Sequence, residues 1–554
     1  MPVTRVKTVT MRIWAKRVPV AAACIAVACG GAVVGCSTPE LDTTAAGVAK
    51  LYASAIERQD PARAAKYTTA PAQAGEALTA TITSMKADDI DVKVDRPVQF
   101  SDGTASFSLK TTWKWQGKRA FTTETTGAAR HLSSGWRVTW APDLIYTGMP
   151  RGGALRLIRT EATPSPKVRS RDGKVFMLEQ GVNDIVLDPA KTADVPAAAV
   201  SLARVLEPIA PLITAKVIEG KIADAPGKPI VAVTLRDSDM LVLAGDPNKV
   251  AGVSTRPYGK LVMADRRLSS PLEVGLTNYW QAIRDATAGW QVQLTAPGAR
   301  PRALSGEQGP PGPDVNTTVD QGVQLSRGDA VVDVGQPATM LVLDGSTGGV
   351  LGLAQNSYAA ARGINVDNLY PVGKTLDPVW EAIDAAAGSD GQSRGRLLDR
   401  SGLGVRFTVP GASALVGARP TVTTIDYKTD TAAVSMMNMG AFGVALARSR
   451  EGAPPVAPYV IKGIPTKVAD GELGEIGSAV TGPVFDAMTK TVVTGDASDL
   501  TNAPGLKALV GTNGPQGPGW FLGLQDGKVV VIYTEGEKSG TAALQVAQKY
   551  FRIK

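Results

Sequence analysis

Between Asp42 and Arg58 the apolar positions Val48, Leu51, Tyr52, Ala55 and Ile56 follow the i, i+3, i+4, i+7 spacing of an amphipathic helix. Asp60-Pro61 then offers an N-cap and a first-turn proline for a shorter helix running to Tyr67. From Ile90 the period switches to two: Ile90, Val92 and Val94, then Ala105, Phe107 and Leu109, then Trp136, Val138 and Trp140. Helices followed by a curved antiparallel sheet are therefore predicted for residues 40–150. Pro164-Ser165-Pro166 marks a boundary. After it the chain from Arg169 to Pro189 reads as irregular strands, and Ile230-Val231-Ala232-Val233 and Met240-Leu241-Val242-Leu243 read as further strands. The run Gly309-Pro310-Pro311-Gly312-Pro313 reads as a linker. Beyond it, Ala338–Asp344 and Gly349–Ala354 flank Gly345-Ser346-Thr347-Gly348 as a hairpin, and Trp520–Leu524 and Lys528–Tyr533 flank the tight-turn pair Asp526-Gly527. A last helix runs from about Thr541 to Tyr550 with Leu544, Ala547 and Phe551 on one face. Hairpins at both ends of one stretch, with helical matter between, predict a single antiparallel sheet assembled from distant segments, an α+β sandwich.

The first thirty-five residues have a different character. Arg5, Lys7, Arg12, Lys16 and Arg17 precede an apolar run from Val18 to Val34 that ends in Val33-Val34-Gly35-Cys36, followed by Ser37 and Thr38. This is the pattern of an export signal. A small residue before the cysteine and an aliphatic residue three places before it resemble a bacterial lipobox, which makes Cys36 the lipidated N-terminus of the mature chain. The other reading is a signal anchor kept as a transmembrane helix, since the run is near the lower length limit for spanning. Met11 offers a second start with the basic region intact. Either way the body is expected outside the cytoplasm, and under the lipobox reading it is tethered to the outer face of the cytoplasmic membrane.

Composition narrows the function classes. The 554 residues, 44% hydrophobic and 20% charged, exclude both a disordered chain and a single core. All three cysteines, Cys24, Cys29 and Cys36, lie in the first thirty-six residues, so no disulfide framework is available to the fold. The formal net charge of +8 resides largely in the five leader cations, which leaves too little for a nucleic-acid partner. The one histidine, His131, cannot support a metal site or a serine triad without companions, and reads as a surface or packing residue. Gly373-Lys374-Thr375 lacks the glycine that a phosphate loop needs five residues earlier, where Asn368 stands. Met436-Met437-Asn438-Met439 reads as helix or core packing. No cofactor is implied.

Several short stretches in one order resemble an actinobacterial class B penicillin-binding lipoprotein. Trp136-Arg137-Val138-Thr139-Trp140-Ala141-Pro142, with Ile145 and Gly148, is similar to the end of the cone-shaped N-terminal domain of the methicillin-resistance type, itself similar in fold to nuclear transport factor. Ser170-Arg171-Asp172-Gly173 with Leu187-Asp188-Pro189 resembles the start of a pedestal or dimerisation region, and Gly275-Leu276 with Gly289-Trp290-Gln291-Val292 its end. Val315-Asn316-Thr317-Thr318-Val319-Asp320 with Gln324 resembles the start of the transpeptidase domain, and the hairpin at Ser346-Thr347-Gly348 its first two strands. The resemblance implies an α+β multidomain chain: signal peptide at 1–35, N-terminal domain at 36–150, pedestal at 151–312, and a transpeptidase- or β-lactamase-like domain at 313–554, with helices flanking its antiparallel sheet.

The same resemblance supplies a chemical test. Family enzymes activate a serine with a lysine one helical turn later, because a serine hydroxyl is a poor nucleophile until a base takes its proton. That pair follows Tyr-Pro-x-Gly. Here Tyr370-Pro371-Val372-Gly373 is followed by Lys374 at the serine position and Asp377 at the lysine position, and no Ser-x-x-Lys occurs elsewhere. Thr375 is displaced by one residue, about 100° around a helix. No Ser-x-Asn follows between Asp377 and Val405, and the helical subdomain there reads as trimmed. Where Lys-Thr-Gly belongs, the chain has Leu509, Val510 and Gly511. Lys538-Ser539-Gly540 matches only in letters, after the last strand. Lys374 and Asp377 are expected to meet as a structural ion pair or a helix-start contact; in the alternative version Pro378, which a continuous helix would resist, delays the helix start to near Val379.

Three readings follow. The first is a non-catalytic pseudo-transpeptidase, a scaffold or regulator with peptidoglycan or cell-wall synthesis and division proteins as partners. The second is a divergent active D,D-transpeptidase. The third is a lipoprotein whose old cleft binds a solute or glycan.

Overall fold

The computed structural model describes residues 44–413, 432–512 and 517–552. Cys36 lies outside them. The chain divides into two compact units, residues up to 156 with 294–302, and 157–293 with 303 onward.

In the first unit α1 (Ala45–Glu57) starts where Thr44 Oγ1 accepts the Gly47 N–H at 3.0 Å, and it buries Val48, Tyr52, Ala55 and Ile56, as the spacing predicts. In α2 (Pro61–Lys66) the Asp60 carboxylate accepts the Arg63 N–H at 2.9 Å. Helix α3 (Pro71–Met85) was not evident in the pattern, because its inner face mixes Ala74 and Thr81 with Leu78, Ile82 and Met85. Strands β1 (Asp89–Gln99), β2 (Thr104–Trp115), β3 (Arg119–Leu132) and β4 (Gly135–Val138) form an antiparallel sheet in that order. The pattern missed β3, whose inward positions include Thr123, Thr125, Gly127 and Ala129. Gly127 is required there: a Cβ would overlap the ring of Phe107 on the facing strand.

The second unit begins with a mixed sheet. The stretch read as irregular strands is largely one continuous strand, Val175–Leu187, paired antiparallel with Ile230–Arg236 and Val253–Met263. Met240-Leu241-Val242-Leu243 is not a strand. Asp237–Met240 forms a helical turn closed by the Arg236 N–H to the Asp239 carboxylate at 3.1 Å, and Leu241 is 86% exposed. Four apolar residues in a row mimic a strand, but the acidic residues before them close a capped turn instead. Within the run Gly309–Pro313 the prolines are exposed, and the two glycines lie against neighbouring residues. A Cβ on Gly312 would press on Ile283, and Val315–Asn316 pairs parallel with Val168–Arg169 inside the same unit.

The C-terminal sheet has five antiparallel strands in the order Val350–Gln355, Ala338–Asp344, Lys528–Thr534, Gly519–Gln525, Lys507–Thr512. Both predicted hairpins are present. Asp344 accepts the N–H groups of Ser346 and Thr347 in one turn, and Asp526 and Gly527 take φ of 49° and 69° in the other, as a two-residue turn of this hand needs. Helices Gln321–Val332 and Ser539–Arg552 share a core with one face. Met436–Ser449 covers the other, and its methionines are core residues as read. Side chains at Gly440 and Gly443 would run into Leu343 and Val529, so those glycines let the helix lie close to the sheet.

Candidate functional site

Tyr370–Pro371 pairs with Ala433–Val434, and the Val372 N–H donates to the Ala432 carbonyl at 3.0 Å. The chain then makes a 3-10 turn, Gly373–Leu376, and the helix Asp377–Ala387 begins at once with Pro378 in its first turn. The helix is therefore not delayed to Val379, since a first-turn proline gives up no intrahelical hydrogen bond. Lys374, which the resemblance sets at the serine position, is exposed, and Asp377, which it sets at the lysine position, is half-buried; both take part in polar interactions. Thr375, the nearest hydroxyl, is buried with an enclosed Oγ1 that makes no hydrogen bond among the described residues. A hydroxyl in that position cannot reach a substrate.

The stretch that the resemblance sets at the third motif is also taken up by packing. Leu509 is buried in the same core cluster as Val372, Leu376 and Trp520; Val510 is half-buried and Gly511 buried. The edge strand that bears them packs against the Gly373–Leu376 turn and the helix Ser478–Val493. Opposite Gly511 in register stands Trp520, fully buried, whose indole N–H donates to the Pro371 carbonyl at 2.8 Å. Its ring lies 4.7 Å from Tyr533, and Tyr533 lies 4.3 Å from Tyr370. The Tyr370 hydroxyl donates to the Asn365 carbonyl at 3.0 Å. The Tyr533 hydroxyl donates to Glu535 at 2.9 Å, and Glu535 pairs with Arg362 at 3.3 Å. Burial, and then the Glu535 charge, push the Tyr533 phenol far above its ordinary range. Neither tyrosine is poised to act as an acid or base near neutrality.

Between Asp377 and Val405 stand two helices, Asp377–Ala387 and Gly391–Arg400. The polar centre of this layer is one that the sequence reading missed. Asn438 donates to the carbonyls of Gly402 and Val405 at 2.7 and 2.8 Å, and exchanges capping hydrogen bonds with Ser435. Ser435 and Asn438, three apart at the head of an apolar run, carry a capping signature that could have marked the start of that helix. Ser539, from the Lys-Ser-Gly coincidence, begins the terminal helix, is buried, and donates to the Gly517 carbonyl. His131 is exposed and packs edge-on against Trp136 at 5.4 Å. Among the described residues no group of three or more His, Cys, Asp or Glu could hold a metal ion, and no helix is long and apolar enough to cross a membrane.

Comparison with known families bears on the first unit. Residues 44–152 match the family model of the NTF2-like N-terminal transpeptidase domain. The match spans α1 to β4 and the loop beyond, and supports kinship with penicillin-binding proteins through this domain. No curated protein matches the chain.

Proposed function

We propose that the protein is an exported lipoprotein, held at the outer face of the cytoplasmic membrane through Cys36, that keeps a transpeptidase-like body without acyl transfer. It acts as a scaffold or regulator of peptidoglycan synthesis, with cell-wall synthesis or division proteins as partners. The observation that carries this reading is the pair Lys374 and Thr375: an exposed ammonium where the nucleophile belongs, and next to it a hydroxyl sealed in the core. The NTF2-like domain supports the cell-wall setting. The basic and apolar leader ending in Cys36 supports export and lipidation.

Incubation with a fluorescent penicillin followed by intact-mass measurement should show no adduct. A gain of one β-lactam would establish the active D,D-transpeptidase reading instead, and digestion would locate its nucleophile. Restoring Lys374→Ser together with Asp377→Lys should not regain acylation, because Leu509 and Val510 still occupy the third motif. For the anchor, Cys36→Ala should abolish lipid labelling and leave an unprocessed precursor, whereas normal processing of that variant would reject the lipobox.

A further inference from the structure

The N-terminal unit carries an open trough of about 360 Å³ that the cell-wall reading leaves unused. Gln73, Glu76, Ala77 and Ala80 line it from α3, at i, i+3, i+4 and i+7, so they share one helix face. The opposite stripe, including Ala74, Leu78 and Thr81, enters the core. Ala77 and Ala80 present only methyl groups, which is why the face is hollow. Trp140 and Pro142 add flat apolar surface, and Arg151, Gly152 and Gly153 complete the lining.

The walls are fixed in advance. The Trp140 N–H donates to Thr69 Oγ1 at 3.0 Å, the Leu155 N–H to Thr81 Oγ1 at 3.4 Å, and the Gly153 N–H to the Pro150 carbonyl at 2.9 Å. A half-buried indole and methyl groups are thus joined by an exposed carboxylate, a guanidinium and an amide.

That set suits a ligand with one apolar face and a rim of hydroxyls. We propose that the trough binds a pyranose oligosaccharide, with the C–H face of a sugar ring on Trp140, Glu76 accepting from hydroxyls and Arg151 donating to them. A peptide is disfavoured, because peptide docking draws on an open sheet edge or an apolar helix groove, and this lining is a helix face of alanine and polar residues closed by a loop. The inference does not depend on whether the second unit acylates.

Titration of the full chain with chitotetraose or cellotetraose, followed by calorimetry and tryptophan fluorescence, tests it. Saturable binding by the wild type is expected, weakened about tenfold or more by Trp140→Ala and abolished by Ala80→Leu, which fills the trough from an exposed position and leaves the fold intact. Glu76→Gln should weaken binding while leaving the far-ultraviolet circular dichroism unchanged. Absence of saturable binding to either sugar by the folded wild type would overturn the proposal. So would binding that survives both Trp140→Ala and Ala80→Leu, since the sugar would then lie elsewhere.

Discussion

The sheet of the N-terminal unit and the five-stranded sheet of the second unit are both antiparallel, yet they bury their residues differently. Along much of β3 buried and exposed positions alternate, whereas Gly519–Gln525 and Lys528–Thr534 are buried at nearly every position. A sheet covered on one face needs an apolar residue at every second position, and one covered on both faces needs them throughout. The consequence reaches function. The one-sided unit has polar surface to spare and carries an open trough, while in the two-sided unit Trp520, Tyr533 and Tyr370 fill the interior beside Pro371 as an aromatic cluster.

The largest test of that contrast is Trp520→Ala. The residue is fully buried, packs at a tilt against Tyr533 and donates to Pro371, so truncation should cost about 3–5 kcal/mol. Trp140→Ala in the trough should change stability by only about 1 kcal/mol or less. Urea unfolding of the two variants measures both, and a mild effect at Trp520 would mean that the aromatic cluster is not structural. Next is Asn438→Ala, which leaves the Gly402 and Val405 carbonyls buried without their donor and opens the capping box, for a loss of about 3 kcal/mol in the same measurement.

Legibility in the sequence cuts across that divide. The hairpins around Ser346 and Asp526 were readable because turn residues separate long apolar runs, and α1 because its apolar stripe is regular. Helix α3 and strand β3 were not, because alanine, threonine and glycine pack inward without hydrophobic contrast. Met240–Leu243 misled because an exposed apolar run looks like a buried one until its neighbours are known. At the candidate site Lys374 and Asp377 were singled out through the resemblance carried by Tyr370-Pro371-Val372-Gly373. That Thr375 is sealed, and that Trp520 bridges to Pro371, depends on pairings between residues more than a hundred positions apart.

The two faces of the C-terminal sheet differ in polar satisfaction as well. Asn438 on one side is fully hydrogen-bonded. On the other, Arg327 lies buried over Gly352, and its guanidinium makes no hydrogen bond among the described residues. Burial pushes this group from its ordinary value down to about 9. Arg327→Met, which keeps much of the side-chain volume, should therefore stabilise the protein by about 2 kcal/mol near pH 7. The pH dependence fixes the cause. A base whose folded-state pKa is lowered binds fewer protons folded than unfolded between about 9 and its ordinary value, so the wild type gains stability as pH rises through about 9 and above, and the advantage of the methionine variant shrinks. A constant advantage from pH 7 to 11 would assign the gain to packing instead of charge.

The smallest effect is expected where the N-terminal unit depends on local chemistry. Asp60 caps α2 through the Arg63 N–H at 2.9 Å, with Pro61 setting the first turn, in a six-residue helix that buries only Ala64 and Ala65. Asp60→Ala should cost about 1 kcal/mol, the usual worth of a side-chain cap, and Asp60→Asn should restore most of it because the amide oxygen can accept the same hydrogen bond. The pair of variants separates capping from charge. If Asn fails to rescue, attraction between the Asp60 carboxylate and the positive end of the short helix outweighs the hydrogen bond, and the loss should shrink as salt is added. Rescue by Asn together with insensitivity to salt would place the whole effect in one hydrogen bond, the local counterpart of the distributed packing around Trp520.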